Sequence, residues 1–378
     1  MSDAVKVVRS LPTGAETVVV GAGIAGLTTA LRLARAGREV VVIDRAEPWR
    51  EGSAVNAGTC ALQNKVTSLI PAYREGLVAW RALAGELDDD IGFTNKGGLR
   101  VAQSAEDVAA LKVGAAEQRA QGVELEWLES NALRDRAPWL SPSVIAATFC
   151  SDDSFASPLL TGQALIRAIR AAGGAVVVAG LTGQRETGSG YELATTAGAI
   201  ACRNVVIAAG AWTDRAAALF GITIPVLLNV NTLSISERIG QFMDSLVVTH
   251  IAGRFTLKQF PNGSVILGGG YQGRGDKDSG RKELDLDQLQ QNIRFQCSVV
   301  PELRDLTLLR SWVGFTAIAT DQKPTIGPMP GRKGLYFAFS TNAGFTIGPY
   351  VGRLVADAIE GREMPDLARD FTPGRFAA

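Results

Sequence analysis

One histidine, His250, occurs among 378 residues, so the chain can build neither a His-rich metal site nor a Ser-His-Asp triad with a choice of bases. Its four cysteines, Cys60, Cys150, Cys202 and Cys297, are scattered and form no CxxC pair. That spacing argues against a structural zinc or an iron–sulfur cluster held by this chain, and reduced, mostly buried thiols are expected. Basic runs are missing too, and 38 basic residues balance 38 acidic ones, so nucleic acid is not an expected partner. Nowhere do roughly 18 apolar residues follow one another, and "MSDAVKVVRSLPTGAE" has no apolar centre. The expectation is therefore a cytoplasmic chain with no transmembrane segment. There is no repeat period and no low-complexity tract.

What is present is the composition of a packed protein, with 46% hydrophobic and 20% charged residues. A chain of this length exceeds one hydrophobic core, which favours two interleaved domains. The run at 16–21 reads as a β-branched strand, 27–36 as a helix and 39–44 as a second buried strand, together a βαβ unit. "NKVTSLIPAYREGLVAWRALAGEL" and "SAEDVAALKVGAAEQRAQG" read as helices, the second opened by a Ser104-x-x-Asp107 capping pattern. Between them "FTNKGGLRVAQS" reads as two strands around a turn. A further helix is expected in "ASPLLTGQALIRAIRAAGG", strands through 175–212 and 225–271 with a hairpin turn at Pro261-Asn262-Gly263, a helix at 284–297, and a last helix at about 350–360.

The sharpest motif is "GAGIAGLTTALRLARAGREVVVID", residues 21–44. Gly21, Gly23 and Gly26 stand between strand and helix, and Asp44 closes the next strand. In such a unit the first glycine makes the tight turn and the second lets backbone approach a pyrophosphate at the helix N-terminus. The third brings helix and strand together, and the acid receives a ribose hydroxyl. A dinucleotide is expected, and the motif alone leaves nicotinamide and flavin both open.

Distant segments decide between them. "GSAVNAGTCALQNK", "NVVIAAGAW", "LKQFPNGSVILGGGY", "RSWVGFTAIATDQKPTIGP" and "GLYFAFSTNAGFTIGP" follow the fingerprint in order. With these segments the chain resembles the flavoprotein family of D-amino-acid oxidase, glycine oxidase and sarcosine oxidase over nearly its whole length. "NAGTCALQNK" and "TLKQFPNGSVILGGG" look most like the bacterial FAD subunits of hydroxyproline, proline, opine and sarcosine dehydrogenases. The resemblance implies an α/β fold: a Rossmann-like FAD-binding domain of glutathione-reductase type, interleaved with an antiparallel-sheet substrate domain. The former is expected from 15–85, 150–215 and 310–375, the latter from 86–149 and 216–309.

Carried over residue by residue, the resemblance implies that Gly21, Gly23, Ile24, Ala25 and Gly26 hold the FAD pyrophosphate, with Asp44 at the adenosine ribose and Arg45 beside it. Ser53, Asn56, Ala57 and Gly58 would flank the diphosphate and flavin ring, and Leu181 the adenine. Ala209, Gly210, Trp212 and Gly314 join the cofactor set, and Asn342, Gly344, Phe345, Thr346 and Ile347 would follow the pyrimidine edge ahead of a helix N-terminus. Cys60 and Gly314 stand where covalent attachment would be sought, and noncovalent FAD is expected.

The implied chemistry is oxidation of a C–N bond, with a secondary or cyclic amine favoured and no dedicated base required. Where relatives carry a carboxylate-binding arginine, this chain has Thr316. Arg254 and Lys258 alternate along "RFTLK" and are candidate cations in its place, with Tyr271, Trp312, Asn342 and Phe345 as further candidate substrate contacts. No metal site is expected. Two alternatives stand beside this one: a subunit passing electrons to an iron–sulfur partner, and a noncatalytic FAD-binding assembly protein. A homo-oligomer is also considered.

Overall fold

Strand β1 (Gly14–Val20) turns Val18 and Val20 to one side and Val19 to the other, and all three are buried. A strand buried on both faces belongs in the middle of a sheet covered by two layers. In this computed structural model, which describes residues 10–253, 255–341 and 343–376, β1 lies between β2 (Val40–Asp44) and Gly198–Ile207, parallel to both. Ala175–Val178 and Leu335–Phe339 extend the parallel sheet at either side, and Thr325–Pro328 closes one edge antiparallel.

Eight α-helices occur among the described residues: α1 (Ile24–Arg35), α2 (Ile70–Glu86), α3 (Ala105–Ala120), α4 (Ser130–Arg136), α5 (Pro158–Ala171), α6 (Thr213–Ala218), α7 (Leu286–Val299) and α8 (Gly344–Ile359). Residues of α1, α2, α5 and α8 fill the core on the Val19 side of the sheet. The Val18 side is covered by α6 and by a meander of Leu181–Thr187, Gly190–Thr195 and Gly198–Ile207. None of the helices is long and apolar enough to cross a membrane.

A second sheet runs in the order Leu308–Ala319, Val226–Arg238, Ser264–Gly268, Thr256–Gln259, Val247–His250, Gly98–Ala102, Ala146–Cys150, Glu126–Glu129. It is antiparallel except where Val247–His250 runs parallel to Gly98–Ala102. Leu99, Val101, Val248 and Leu257 face a third core, to which α7 contributes Val299. The alternate residues Arg100 and Lys258 face the opposite way. Leu308–Ala319 straddles the expected domain boundary at residue 310 and pairs along its length with Val226–Arg238 of this sheet.

The capping box at Ser104 and the hairpin between Thr256–Gln259 and Ser264–Gly268 form as expected. Two local expectations do not. "FTNKGGLRVAQS" contains one strand, because Thr94 and Gly98–Ala102 each pair with the 146–155 stretch rather than with one another. The final helix begins at Gly344, not near 350, and carries Pro349 in its interior. A proline gives no N–H to the carbonyl four residues earlier, here Phe345. Trp80 of α2 replaces it, its Nε1–H donating to Phe345 O at 2.7 Å.

Candidate functional site

The carboxyl ends of the parallel strands open onto one cavity of about 650 Å³, lined by residues that follow each strand: Val20–Ile24, Asp44, Ala179, Ala208–Gly210 and Phe339–Thr341. This edge is where open parallel sheets hold ligands. Of the expected residues, Gly21, Gly23, Ile24, Asp44, Arg45, Ser53, Asn56, Ala57, Leu181, Ala209, Gly210, Trp212, Thr316, Gly344 and Phe345 share its wall. Ala25, Gly26, Gly58, Gly314, Thr346 and Ile347 lie behind it, and Arg254 and Asn342 lie outside the described residues.

The glycine turn is built by contact with the neighbouring strand end. Gly21 has φ +115°, and a Cβ there would stand 2.3 Å from Ala208 O. At Gly26 a Cβ would stand 2.0 Å from Gly21 O, so α1 can sit this close to β1 only with glycine at that position. Gly23 caps α1 without a side-chain hydrogen bond, and the first turn holds no acidic residue. Ile24 N–H donates to Ser53 Oγ at 2.9 Å, a neutral partner that leaves the positive end of the helix open to an anion. Asp44 Oδ2 accepts from Ala22 N–H at 2.7 Å, which draws the acid over the turn; burial raises its pKa against that bond. Arg45 lies 3.5 Å above the Trp212 ring.

A second helix N-terminus reaches the same cavity. Helix α8 starts after Ala343 in a left-handed conformation, has no acidic residue in its first turn, and presents Gly344 and Phe345 to the wall. Its direction follows from packing on α1. A Cβ on Gly348 would meet Ile24 at 2.5 Å and one on Gly352 would meet Thr28 Oγ1 at 2.1 Å, so the two helices advance together, in parallel, at close range. Phe345 is held by Trp80, ring to ring at 4.7 Å, and Thr346 Oγ1–H donates to Thr59 O at 3.0 Å.

Lys258 is not in the wall. It is fully buried on the second sheet, and its Nζ donates to Ala57 O at 2.6 Å and Thr59 Oγ1 at 2.7 Å. Burial pushes its pKa down to about 7. It braces the 57–59 turn from beneath. Trp312 acts similarly on the preceding residues, donating Nε1–H to Val55 O at 3.1 Å, and Gly314 admits the Val55 side chain. Tyr271 is buried and does not reach the wall.

Thr316 does reach it, as a neutral group. Asn231 Nδ2–H donates to Thr316 Oγ1 at 2.8 Å, and Gln272 Nε2–H to Asn231 Oδ1 at 2.9 Å. The chain of amides occupies the end of the cavity supplied by the second sheet, beside Phe315. His250 is elsewhere: its Nδ1 accepts from Ala252 N–H, and burial lowers its pKa against the pull of Asp107. Cys60 is buried behind the wall, its thiol pKa raised by burial. Sequence reasoning missed Thr59, Asn231 and Phe315, and most notably Lys65 and Arg100. Lys65 ends the quoted "NAGTCALQNK", and a cation closing an otherwise uncharged segment was the available signal.

The family described as FAD dependent oxidoreductase matches residues 16–358. The chain belongs to this family. As an FAD-dependent oxidoreductase it is similar along its length to an opine oxidase subunit of Rhizobium meliloti, 25% identical over 96% of this chain and 98% of that one. It is also similar to glycine oxidase of Geobacillus kaustophilus, 26% identical over 93% and 95% of the two chains. The crystal structure of that glycine oxidase superposes with a TM-score of 0.86 at 22% identity, covering 96% and 99% of the chains. L-proline dehydrogenase from P. horikoshii does so with a TM-score of 0.84 at 24% identity, covering 97% and 99%. The residues of this flavoenzyme suit its cofactor: a diphosphate-sized anion can meet the α1 N-terminus while a second helix end faces the same cavity.

Proposed function

We propose that the protein oxidises the C–N bond of an amine or amino acid, a secondary or cyclic amine being favoured, with FAD held noncovalently. The observation that carries this is the single cavity that joins the glycine turn and the α8 N-terminus to the neutral Asn231–Thr316 wall of the second sheet. In this reading Gly21, Gly23 and Ile24 hold the diphosphate, Asp44 the ribose, and Leu181 the adenine. Ala57, Gly344 and Phe345 border the flavin ring. FAD supplies a hydride acceptor when bound.

The chain itself contributes position and field. The α8 N-terminus favours negative charge at the end of the cavity where it opens. Phe315 and the Asn231–Thr316 amide chain offer no titratable group at their end of the cavity, so that wall supplies no base to the substrate amine. The buried, proton-bound Cys60 thiol and the glycine at 314 support noncovalent attachment.

The opine oxidase relative, itself one subunit of an enzyme, supports a second reading, in which electrons leave for a partner chain rather than oxygen. Purified protein tests both. A yellow chromophore released as FAD by heat or acid is the expected result, and one that stays with the denatured chain contradicts noncovalent binding. Peroxide formed on turnover with an amine marks an oxidase, and reoxidation only by a dye marks the partner-dependent reading. A flavin unaffected by any amine contradicts the amine-oxidation reading.

A further inference from the structure

A second cavity, about 250 Å³, is lined by Asn64, Lys65, Val66, Tyr73, Arg100 and Ala343. Lys65 and Ala343 also line the large cavity, so the smaller one is a side pocket of it. Two cations meet there. Lys65 is half-buried and has no hydrogen bond or ion pair with any described residue. Arg100 reaches Asn64 Oδ1 at 3.5 Å, and its Nε is buried with no hydrogen-bond partner.

Asp153 is the acid that acts on both, yet its oxygens are already committed. Oδ1 accepts from Leu62 N–H at 2.7 Å and Gln63 N–H at 3.4 Å, and Oδ2 from Gln63 Nε2–H at 3.1 Å. Asp107 is engaged in the α3 capping box and lies 3.8 Å from His250 Nε2. Two positive charges against one occupied carboxylate leave an excess in a partly dehydrated pocket. Such a group is costly to bury unless an anion completes it. Burial acts in the same sense on Lys65, lowering its pKa.

We propose that this side pocket receives the carboxylate of the substrate, with Lys65 and Arg100 on its two oxygens, so that the substrate is an amine bearing an acid on a short arm. This rests on the amine-oxidation reading and adds the substrate's polarity to it. The acid lies toward Lys65 and Arg100, away from the neutral Thr316 wall. The pocket is well above the roughly 30 Å³ that one water occupies, so attached carbons enter with the carboxylate. Charge-assisted bonds from two donors also explain how the chain dispenses with a cation at Thr316.

Calorimetric titration of the FAD-loaded protein with pyrrole-2-carboxylate and its neutral amide, pyrrole-2-carboxamide, tests the assignment. The wild type is expected to bind the acid at least about ten-fold more tightly than the amide. Lys65→Met and Arg100→Gln should each remove most of that preference while leaving amide binding alone, and Lys65→Arg should keep it. Where Arg100→Gln fails to fold, the two Lys65 variants carry the test. Equal binding of acid and amide by the wild type overturns the proposal, as does an undiminished preference in Lys65→Met with normal FAD content. Loss of FAD from Lys65→Met with the preference intact also overturns it, by assigning the lysine to the cofactor. A flavin that no amine reduces, with a Lys65-dependent preference intact, supports the carboxylate pocket and overturns the oxidation reading.

Discussion

Lys258 shows how a charged residue on a strand can serve a site without entering it. Its ammonium donates to Ala57 O and Thr59 Oγ1, and burial lowers its pKa from 10.5 to about 7. Between those values the unfolded chain holds a proton that the folded chain has shed, so stability rises with pH across that window and is insensitive to this group below it. Lys258→Met should flatten the rise, which is on the order of 1 kcal/mol per pH unit inside the window. Denaturant unfolding at several pH values checks this, and an unchanged slope would place the titration elsewhere. Gly23 acts at the same scale. A Cβ there already comes within 3.1 Å of Ser53 Oγ, so Gly23→Val should obstruct the approach of a diphosphate and empty the purified protein of FAD. A normal flavin content in a folded Gly23→Val variant would sink the placement.

At the scale of elements, the decisive arrangement is α1 and α8 lying parallel with both N-termini on one cavity. Trp80 secures the α8 end by donating to the carbonyl that Pro349 leaves without an N–H. Trp80→Phe keeps the ring against Phe345 and removes that donor, which should cost about 1–3 kcal/mol. Thermal unfolding of the FAD-loaded variant measures it, and an unchanged midpoint would mean that water satisfies the carbonyl. This element also marks the limit of what the sequence discloses. The βαβ unit, the Ser104 cap and the Pro261-Asn262-Gly263 hairpin are legible because the residues that cause them are adjacent. The α8 start is not, because its support comes from Trp80, far away in the chain. "FTNKGGLRVAQS" hides its single strand in the same way, since its partners are 146–155 and 247–250. Lys258 and Lys65 are equally concealed: which lysine is buried and braced, and which stands free in a pocket, depends on how 57–65 crosses the second sheet.

For the whole molecule, function follows from two sheets meeting at one cavity. We regard the parallel sheet with its helices as the FAD domain and the second sheet as the substrate domain, with Leu308–Ala319 assigned to the latter because it pairs there. Family membership makes the chain an FAD-dependent oxidoreductase, and the neutral Asn231–Thr316 wall is what narrows the proposed chemistry to an amine that needs no base from the protein. The most direct measurement is anaerobic flavin reduction, followed by absorbance, with cyclic and N-alkyl amino acids, free D- and L-amino acids, and simple alkylamines. Rapid bleaching by a cyclic or N-alkyl amino acid, and slower or no bleaching by the free primary amino acids and alkylamines, is the predicted result. A flavin that stays oxidised with every amine in the panel would contradict the account.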